Sequence, residues 1–418
     1  MRPPPGPPRT APLRRATRAT TPWKPWACRP PDPACPPLLI RSGRTLHRPE
    51  MAPEVIVVGA GVVGSAVAWQ LSRQGCAVTL MDPELAETTG PTQAPPAPSA
   101  WGSPAALGVL MGQVYRRRSG RGLRLRQEAM ALWPRWIAEL RQAGHRLPAR
   151  SGLLLLAADA DEEGRLRAFA DAHGAERDLR WLEPGDLRLL EPHPPRQALG
   201  GLHSATDGQI DPLPLLQALR SEVARLGGRL LPDRVRALER CQRGWRVQRQ
   251  QGEPLEGRWL VLCVATGLNA LLAPLNHPIP VAPVLGQALE LELTDPLPDG
   301  DLWRRWPGAM VWRGLNLVPR PGRRLWVGAT VEPGRRAGST PLNRLRELEG
   351  DPPDWLRRSR LCHRWEGIRP RPAGRPAPVL EQPEPGLIVA TAHHRNGVLL
   401  APASAAWVSR QIGLLTHP

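Results

Sequence analysis

From Glu54 onward the chain alternates short apolar runs with amphipathic ones. Val55-Ile56-Val57-Val58 is continuously apolar, the pattern of a strand buried on both faces as in a parallel sheet. The stretch from Gly61 to Gln74 reads as a helix, and Ala77-Val78-Thr79-Leu80-Met81 as a second strand ending at Asp82. Glu84 to Pro104 is rich in Pro, Ala and Thr and reads as a loop. A long amphipathic helix is expected from about Leu123 to Gln142, with a kink at Pro134. Short strands then alternate with helical runs: Gly152–Leu156, Trp245–Gln248, Ala288–Leu293 and Leu325–Val327 against, for example, Leu213–Leu226. Apolar strands of the parallel type return at Leu260-Val261-Leu262 and Leu387-Ile388-Val389. Such strands at the start, middle and end predict an α/β chain whose two domains interleave in sequence.

Composition changes this picture mainly by exclusion. The 418 residues carry 56 Lys+Arg against 38 Asp+Glu, a formal +18. The first fifty residues hold ten of the basic residues and only two acidic ones, together with fourteen prolines. That segment has no hydrophobic period and is expected to be disordered. It reads either as an Arg-rich, acid-poor leader or as sequence ahead of the true start at Met51, and it is set aside from the fold. Beyond it acids and bases are interspersed, and Lys24 is the single lysine, so no nucleic-acid surface is expected. The apolar runs, such as Leu153 to Ala158, are far shorter than the ~20 residues of a spanning helix. Six cysteines show neither a CxxC pair nor metal spacing, and a reducing, cytoplasmic setting is expected. Cys76, Cys241 and Cys263 read as small buried hydrophobes.

Gly59-Ala60-Gly61-Val62-Val63-Gly64 is a GxGxxG that follows the first strand and opens the first helix. Gly59 permits the tight turn, Gly61 the approach of a pyrophosphate, and Gly64 close packing of helix on strand. The helix N-terminus favours the phosphates. Asp82, 23 residues after Gly59, stands where ribose hydroxyls are read. Strand, glycines, helix and acid in that order point to a dinucleotide site. The fold class is therefore a Rossmann-type dinucleotide-binding domain interleaved with an α+β, antiparallel-sheet substrate domain. Residues 51–145, 200–275 and 360–418 are assigned to the first and 146–199 and 276–359 to the second.

Further segments bring a resemblance. Ala105-Ala106-Leu107-Gly108-Val109-Leu110-Met111-Gly112, Asp207-Gly208-Gln209-Ile210-Asp211-Pro212, Val235 and Val264-Ala265-Thr266-Gly267 are similar to segments of the D-amino-acid oxidase superfamily. So are Trp365-Glu366-Gly367-Ile368-Arg369-Pro370 and His393-His394-Arg395-Asn396-Gly397-Val398-Leu399-Leu400-Ala401-Pro402, the latter most like its glycine-oxidase branch. The resemblance, running from about Glu54 to Ile412, implies FAD, with Ala106, Gly108, Val235, Thr266, Gly267 and Asn396 to Leu399 beside it. Some relatives carry FAD on a cysteine, but none follows Arg369 here, so FAD is expected to be held non-covalently. Asp211 reads as a helix N-cap with Pro212 at the first helical position. Asn396 to Leu399 start a helix whose N–H groups suit the flavin's electron-rich edge.

The activity implied is oxidation of a small amino acid or amine to an imine, with hydride transfer to flavin N5 and electrons passed to oxygen or a quinone. A glycine oxidase of thiamine biosynthesis is the leading expectation. A D-amino-acid or sarcosine-type dehydrogenase and a flavoprotein without catalysis are the alternatives, and a homo-oligomer is possible by resemblance. By the resemblance Arg369 corresponds to the family's carboxylate-binding arginine, and its guanidinium fork suits a carboxylate by fixing both position and orientation. Arg395 is a second substrate contact or a support for the flavin edge. Where the branch has tyrosine in a Y-x-V-P-R run, this chain has Asn316-Leu317-Val318-Pro319-Arg320, and Asn316 takes its place. The chain has one Tyr and one Phe, so any aromatic wall is expected from Trp312 and Trp365. His393 and His394, read as adjacent strand residues facing opposite ways, are not expected to hold a metal.

Overall fold

The computed structural model describes residues 53–87, 102–117, 119–294, 302–334, 336–350 and 352–415. The Pro/Arg-rich segment 1–50 and residues 88–101 of the expected loop lie outside the described residues.

The Val55–Val58 run forms the Glu54–Val58 strand, paired in parallel with Ala77–Met81 on one side and Trp259–Leu262 on the other. Its side chains alternate between two cores, as a strand's must. Val55 and Val57 point into one apolar cluster and Ile56 and Val58 into another. The sheet is six-stranded, in the order Val379–Glu384, Leu387–Thr391, Trp259–Leu262, Glu54–Val58, Ala77–Met81, Arg229–Leu231, and only the Val379–Glu384 edge runs antiparallel.

Helices cover one face. Val62–Arg73 packs against Pro212–Arg225 and Gly397–Gln411, and Arg121–Gln142 packs against the last of these. Arg121–Gln142 continues through Pro134, and buried Trp133 donates its indole N–H to Leu399 O at 3.0 Å. Trp69 meets Trp136 edge-on at 4.8 Å between centroids, a pairing that adds ~0.5–1.5 kcal/mol to the burial itself. Asp211 caps Pro212–Arg225 through its carboxylate on Leu213 N–H, with Pro212 first in the helix, as read from sequence. A three-stranded sheet, Val235–Cys241, Gly244–Arg249 and Leu255–Gly257, joins the opposite core.

The second sheet has ten strands among the described residues, running from Val109–Leu110 through Gly201–Ile210, Ala149–Leu156 and Ala309–Trp312 to Val281–Glu292, on which Arg360–Pro372 pairs antiparallel. Three segments correct the expected boundaries. Val109–Leu110, Gly201–Ile210 and Arg360–Pro372, placed from sequence with the dinucleotide-binding half at 51–145, 200–275 and 360–418, are strands of this second sheet. The chain crosses between the halves more often than the boundaries implied.

Trp312 and Trp365 correct the expected aromatic wall. Both are buried in side-chain cores of the second sheet, Trp312 among leucines and tryptophans, and Trp365 against Trp326 at 5.1 Å. His393 and His394 follow the Leu387–Thr391 strand instead of lying on it, and Ala392 and His394 take left-handed conformations, φ 52° and 54°. Of the three cysteines expected in the core, Cys76 is buried, Cys241 sits half-exposed at the end of the Val235–Cys241 strand, and Cys263 is half-buried.

Candidate active site

The carboxyl ends of the parallel strands converge on one cavity of about 1150 Å³. Residues immediately after four of them line it: Gly59, Asp82, Cys263 to Gly267 and Ala392 to Leu399. This is the side on which open α/β sheets bind ligands. The opposite wall comes from the second sheet, through Gly286, Asn316, Gly367 and Arg369.

The glycine turn has no room for side chains. Gly59 has φ +101°, and a Cβ there would come within 2.8 Å of the Cys263 carbonyl carbon; one on Gly64 would fall 1.8 Å from Gly59 O. Asp82 ties the turn from the second strand, accepting from Ala60 N–H at 2.7 Å and from Glu84 N–H at 2.9 Å. It lines the cavity as expected, yet both its oxygens already hold backbone, so organising the turn is its first task here. Buried Arg220 completes the turn by donating to Ala60 O from both Nε, at 3.2 Å, and Nη2, at 2.5 Å. Sequence reasoning passed over Arg220, although its spacing from Leu216 and Val223 puts it on the buried stripe of its helix.

Across the turn, the Gly102–Gly108 segment runs along the cavity. Ser103 Oγ accepts from Val62 N–H at 3.0 Å, and Trp365 donates to Ala105 O at 3.0 Å. Gly108 has φ +75° with Ile210 O in the place a Cβ would fill. Ala106, Gly108, Val235, Thr266 and Gly267 all line the cavity with Gly61, as do Asn396, Gly397, Val398 and Leu399 at the start of the Gly397–Gln411 helix. The expected cofactor residues are thus brought together at the cavity, apart from Gly64, which packs behind the turn against Gly59 O. A cavity walled by a glycine turn closed to Cβ atoms and by a second helix N-terminus fits a dinucleotide with a flavin head.

Arg369 is held by backbone. Nη1 donates to Thr330 O at 2.9 Å and to Leu285 O at 3.3 Å, while the guanidinium occupies the space over Gly286 where a Cβ would come within 2.1 Å of Nη2. Burial, then the nearby Arg395 charge, push its pKa down to about 10, so it is cationic at neutral pH. No carboxylate pairs with it among the described residues. Asn316 is 9 % exposed and donates from Nδ2 to Gly328 O at 3.1 Å. His394 lines the cavity with its Nε2 unpartnered. Burial and the Arg369, Arg395 and Arg371 charges push it down to about 4, so it is neutral at pH 7. His393 is buried with Nε2 2.8 Å from Ser404 Oγ.

Two more residues were missed. Tyr115 is the aromatic side chain on the cavity wall, stacked under the Arg126 guanidinium at 3.9 Å, and Arg126 in turn donates to Asn396 Oδ1 at 3.1 Å. Asp207 lies outside the cavity but fixes this wall: its buried carboxylate accepts from Gly112 N–H at 2.7 Å, Gln113 N–H at 2.9 Å and Val114 N–H at 3.1 Å. The Asp207-to-Pro212 run was visible in the sequence; the loop ninety residues earlier that needs Asp207 was not. Among the described residues no group of three His, Cys, Asp or Glu stands at metal-binding distance, and no helix is long and apolar enough to cross a membrane.

A glycine-turn α/β half and a curled sheet presenting an arginine to the same cavity define the class: a flavin-dependent oxidoreductase. Residues 54–411 match the DAO family of FAD-dependent oxidoreductases, and the chain belongs to that family. It is 27% identical over 366 residues to glycine oxidase of Geobacillus kaustophilus, covering 85% of this chain and 92% of that protein. It is 32% identical over 323 residues to the tRNA 5-methylaminomethyl-2-thiouridine biosynthesis bifunctional protein MnmC of Burkholderia orbicola, covering 74% of this chain and 47% of that one. This chain therefore spans about half of that bifunctional relative. The crystal structure of the Geobacillus kaustophilus glycine oxidase superposes with a TM-score of 0.74 at 24% sequence identity, covering 88% of this chain and 96% of that one.

Proposed function

We propose that this enzyme oxidises the α-C–N bond of a small amino acid or amine to an imine, as a glycine-oxidase-like member of its family. The observation that carries the reading is Arg369: its Nη1 is fixed by two backbone carbonyls, and it lines the cavity with no carboxylate of the described residues paired to it. A substrate carboxylate is the matching ligand, because a held guanidinium binds it bidentately with little ordering cost. FAD, when bound, supplies the two-electron acceptor.

The chain's own residues bind and orient. Arg369 places the carboxylate, and Asn316 on the Leu315–Pro319 strand narrows the space where the branch has tyrosine. The Arg369 and Arg395 charges lower the pKa of a substrate amine beside them, which favours the unprotonated form that oxidation requires. His394, neutral at pH 7, adds no cation of its own. The Gly102–Gly108 segment and the Gly397–Gln411 helix wall the reacting atoms from water. FAD is held non-covalently in this reading: Cys263 is the cysteine lining the cavity, and burial pushes its thiol well up, away from the nucleophilic thiolate.

The test is anaerobic mixing of the FAD-loaded protein with glycine, sarcosine and a panel of D-amino acids, following the flavin band near ~450 nm. Bleaching by an amino acid, with an apparent Kd or KM raised at least about a hundredfold in Arg369→Ala, is the expected result. A yellow protein that none of these substrates bleaches rules the activity out.

A further inference from the structure

The cavity is electrically two-ended. Its acidic lining residues, Asp82, Glu84 and Asp233, gather at the ends of the Ala77–Met81 and Arg229–Leu231 strands, where Asp82 N–H donates to Leu231 O at 3.2 Å. Around Arg369 the described lining carries no acid. Arg395 is exposed, lines the cavity and makes no ion pair or hydrogen bond with any described residue. It is also the charge that bears most heavily on Arg369. The arc continues through the next residue, since Asn396 accepts from Arg126, and Arg126 feels the charge of exposed Arg117.

Glu332 is the acid that offsets Arg369, and its oxygens are already taken. Thr330 Oγ1 and Gln287 Nε2 donate to one, at 2.5 and 2.9 Å, and Gly338 N–H to the other, at 2.7 Å. A substrate with a single carboxylate would occupy Arg369 and leave Arg395 facing the cavity uncompensated. A mouth lined by one sign of charge concentrates ligands of the other.

We infer that the substrate carries a second carboxylate, received by Arg395 while Arg369 holds the α-carboxylate: an acidic amino acid or an N-carboxymethyl amine in preference to glycine. The inference deepens the proposed amine oxidation and rests on it for the reaction, while the anion subsite itself is measurable without turnover.

Two measurements on the FAD-loaded full chain separate the two claims. In the first, kcat/KM is compared for D-aspartate and iminodiacetate against D-alanine and sarcosine. Dicarboxylates are expected to lead by about ten- to a hundredfold at low salt, the worth of one charge-assisted contact, and the lead shrinks as salt is raised. Arg395→Ala brings the ratio close to one, and Arg395→Lys retains part of it. A wild-type ratio at or below one, or an Arg395→Ala variant that loses both classes equally, overturns the inference. In the second, the unreactive malonate and succinate are titrated against acetate by their perturbation of the flavin spectrum. Tighter, Arg395-dependent binding of the dicarboxylates in a protein that no amine reduces upholds the subsite and removes the amine-oxidase reading. Amine oxidation without any dicarboxylate preference does the reverse, and absence of both overturns both.

Discussion

Asp207 is the residue whose loss should be felt furthest from where it sits. Fully buried, it accepts three consecutive backbone N–H groups from a loop on the other side of the sequence, and its own N–H donates to Ser204 Oγ at 3.1 Å. Burial drives its carboxyl pKa up while those N–H groups pull it down. The loop it holds runs directly into Tyr115, Arg116 and Arg117 on the cavity wall, and Arg177 grips the same stretch from the far side through Gln113 O and Tyr115 O, at 3.3 and 3.2 Å. Asp207→Asn keeps the shape but turns an amide N–H₂ toward N–H donors and removes the charge. The expected cost is about 2–3 kcal/mol of stability, with a KM for substrate raised roughly tenfold and FAD still bound. Thermal melting with steady-state kinetics checks it; a variant that matches wild type in both would mean the loop holds its shape unaided.

At the scale of elements, the glycine turn and its helix decide whether the cofactor end of the cavity exists. A Cβ at Gly64 would lie 1.8 Å from Gly59 O, so Gly64→Ala must lift the Val62–Arg73 helix off the first strand. The expected product is a protein purified without bound FAD, with affinity for added FAD reduced at least about a hundredfold, read by flavin fluorescence quenching. A yellow Gly64→Ala protein of normal affinity would remove the packing argument. This half of the site was legible because its signal is local: Val55–Val58, Gly59 to Gly64 and Asp82 follow one another within a single strand–helix–strand unit. The C-terminal run from His393 to Leu399 was legible through its resemblance to the family, although His393 and His394 follow the strand instead of lying on it. What failed was long-range. Gly201–Ile210 and Arg360–Pro372 carry no mark of which sheet they join, because pairing is set by partners far along the chain. Trp312 and Trp365 were expected at the site by elimination among aromatics, and their indoles went to packing, while Tyr115 reached the wall through a loop shaped by Asp207 and Arg177. Gly286 gives way to Arg369 across a strand pair whose register, Gly286 opposite Gly367, no periodicity specifies.

For the whole molecule, the buried histidines set how stability answers to pH. His203 is buried on the Gly201–Ile210 strand, where its Nδ1 receives Arg180 Nε–H at 3.3 Å. Burial, and after it the Arg180 charge, push its pKa down from 6.5 to about 4. His393 is pushed down to about 3, again by burial first and then by Arg121. In the unfolded chain each imidazole takes up a proton as pH drops through about 6.5, whereas in the fold it stays neutral until about 4 or below. The unfolded state therefore binds more protons across that window, and stability is lost as pH falls through it. The loss approaches 1.4 kcal/mol per pH unit for each group, or about 2 kcal/mol each between pH 6.5 and 5 as an upper figure. The ion-paired glutamates Glu222 and Glu384, whose pKa values are lowered by their arginine partners, act below the ordinary carboxylate range. Urea midpoints at pH 7.5 and 5.0 should differ markedly in the wild type and less in His393→Gln, which keeps a partner for Ser404 Oγ but cannot titrate. Comparing variant with wild type at each pH cancels every other titrating group, so an unchanged difference between the two pH values in His393→Gln would show that this imidazole is not held neutral by the fold.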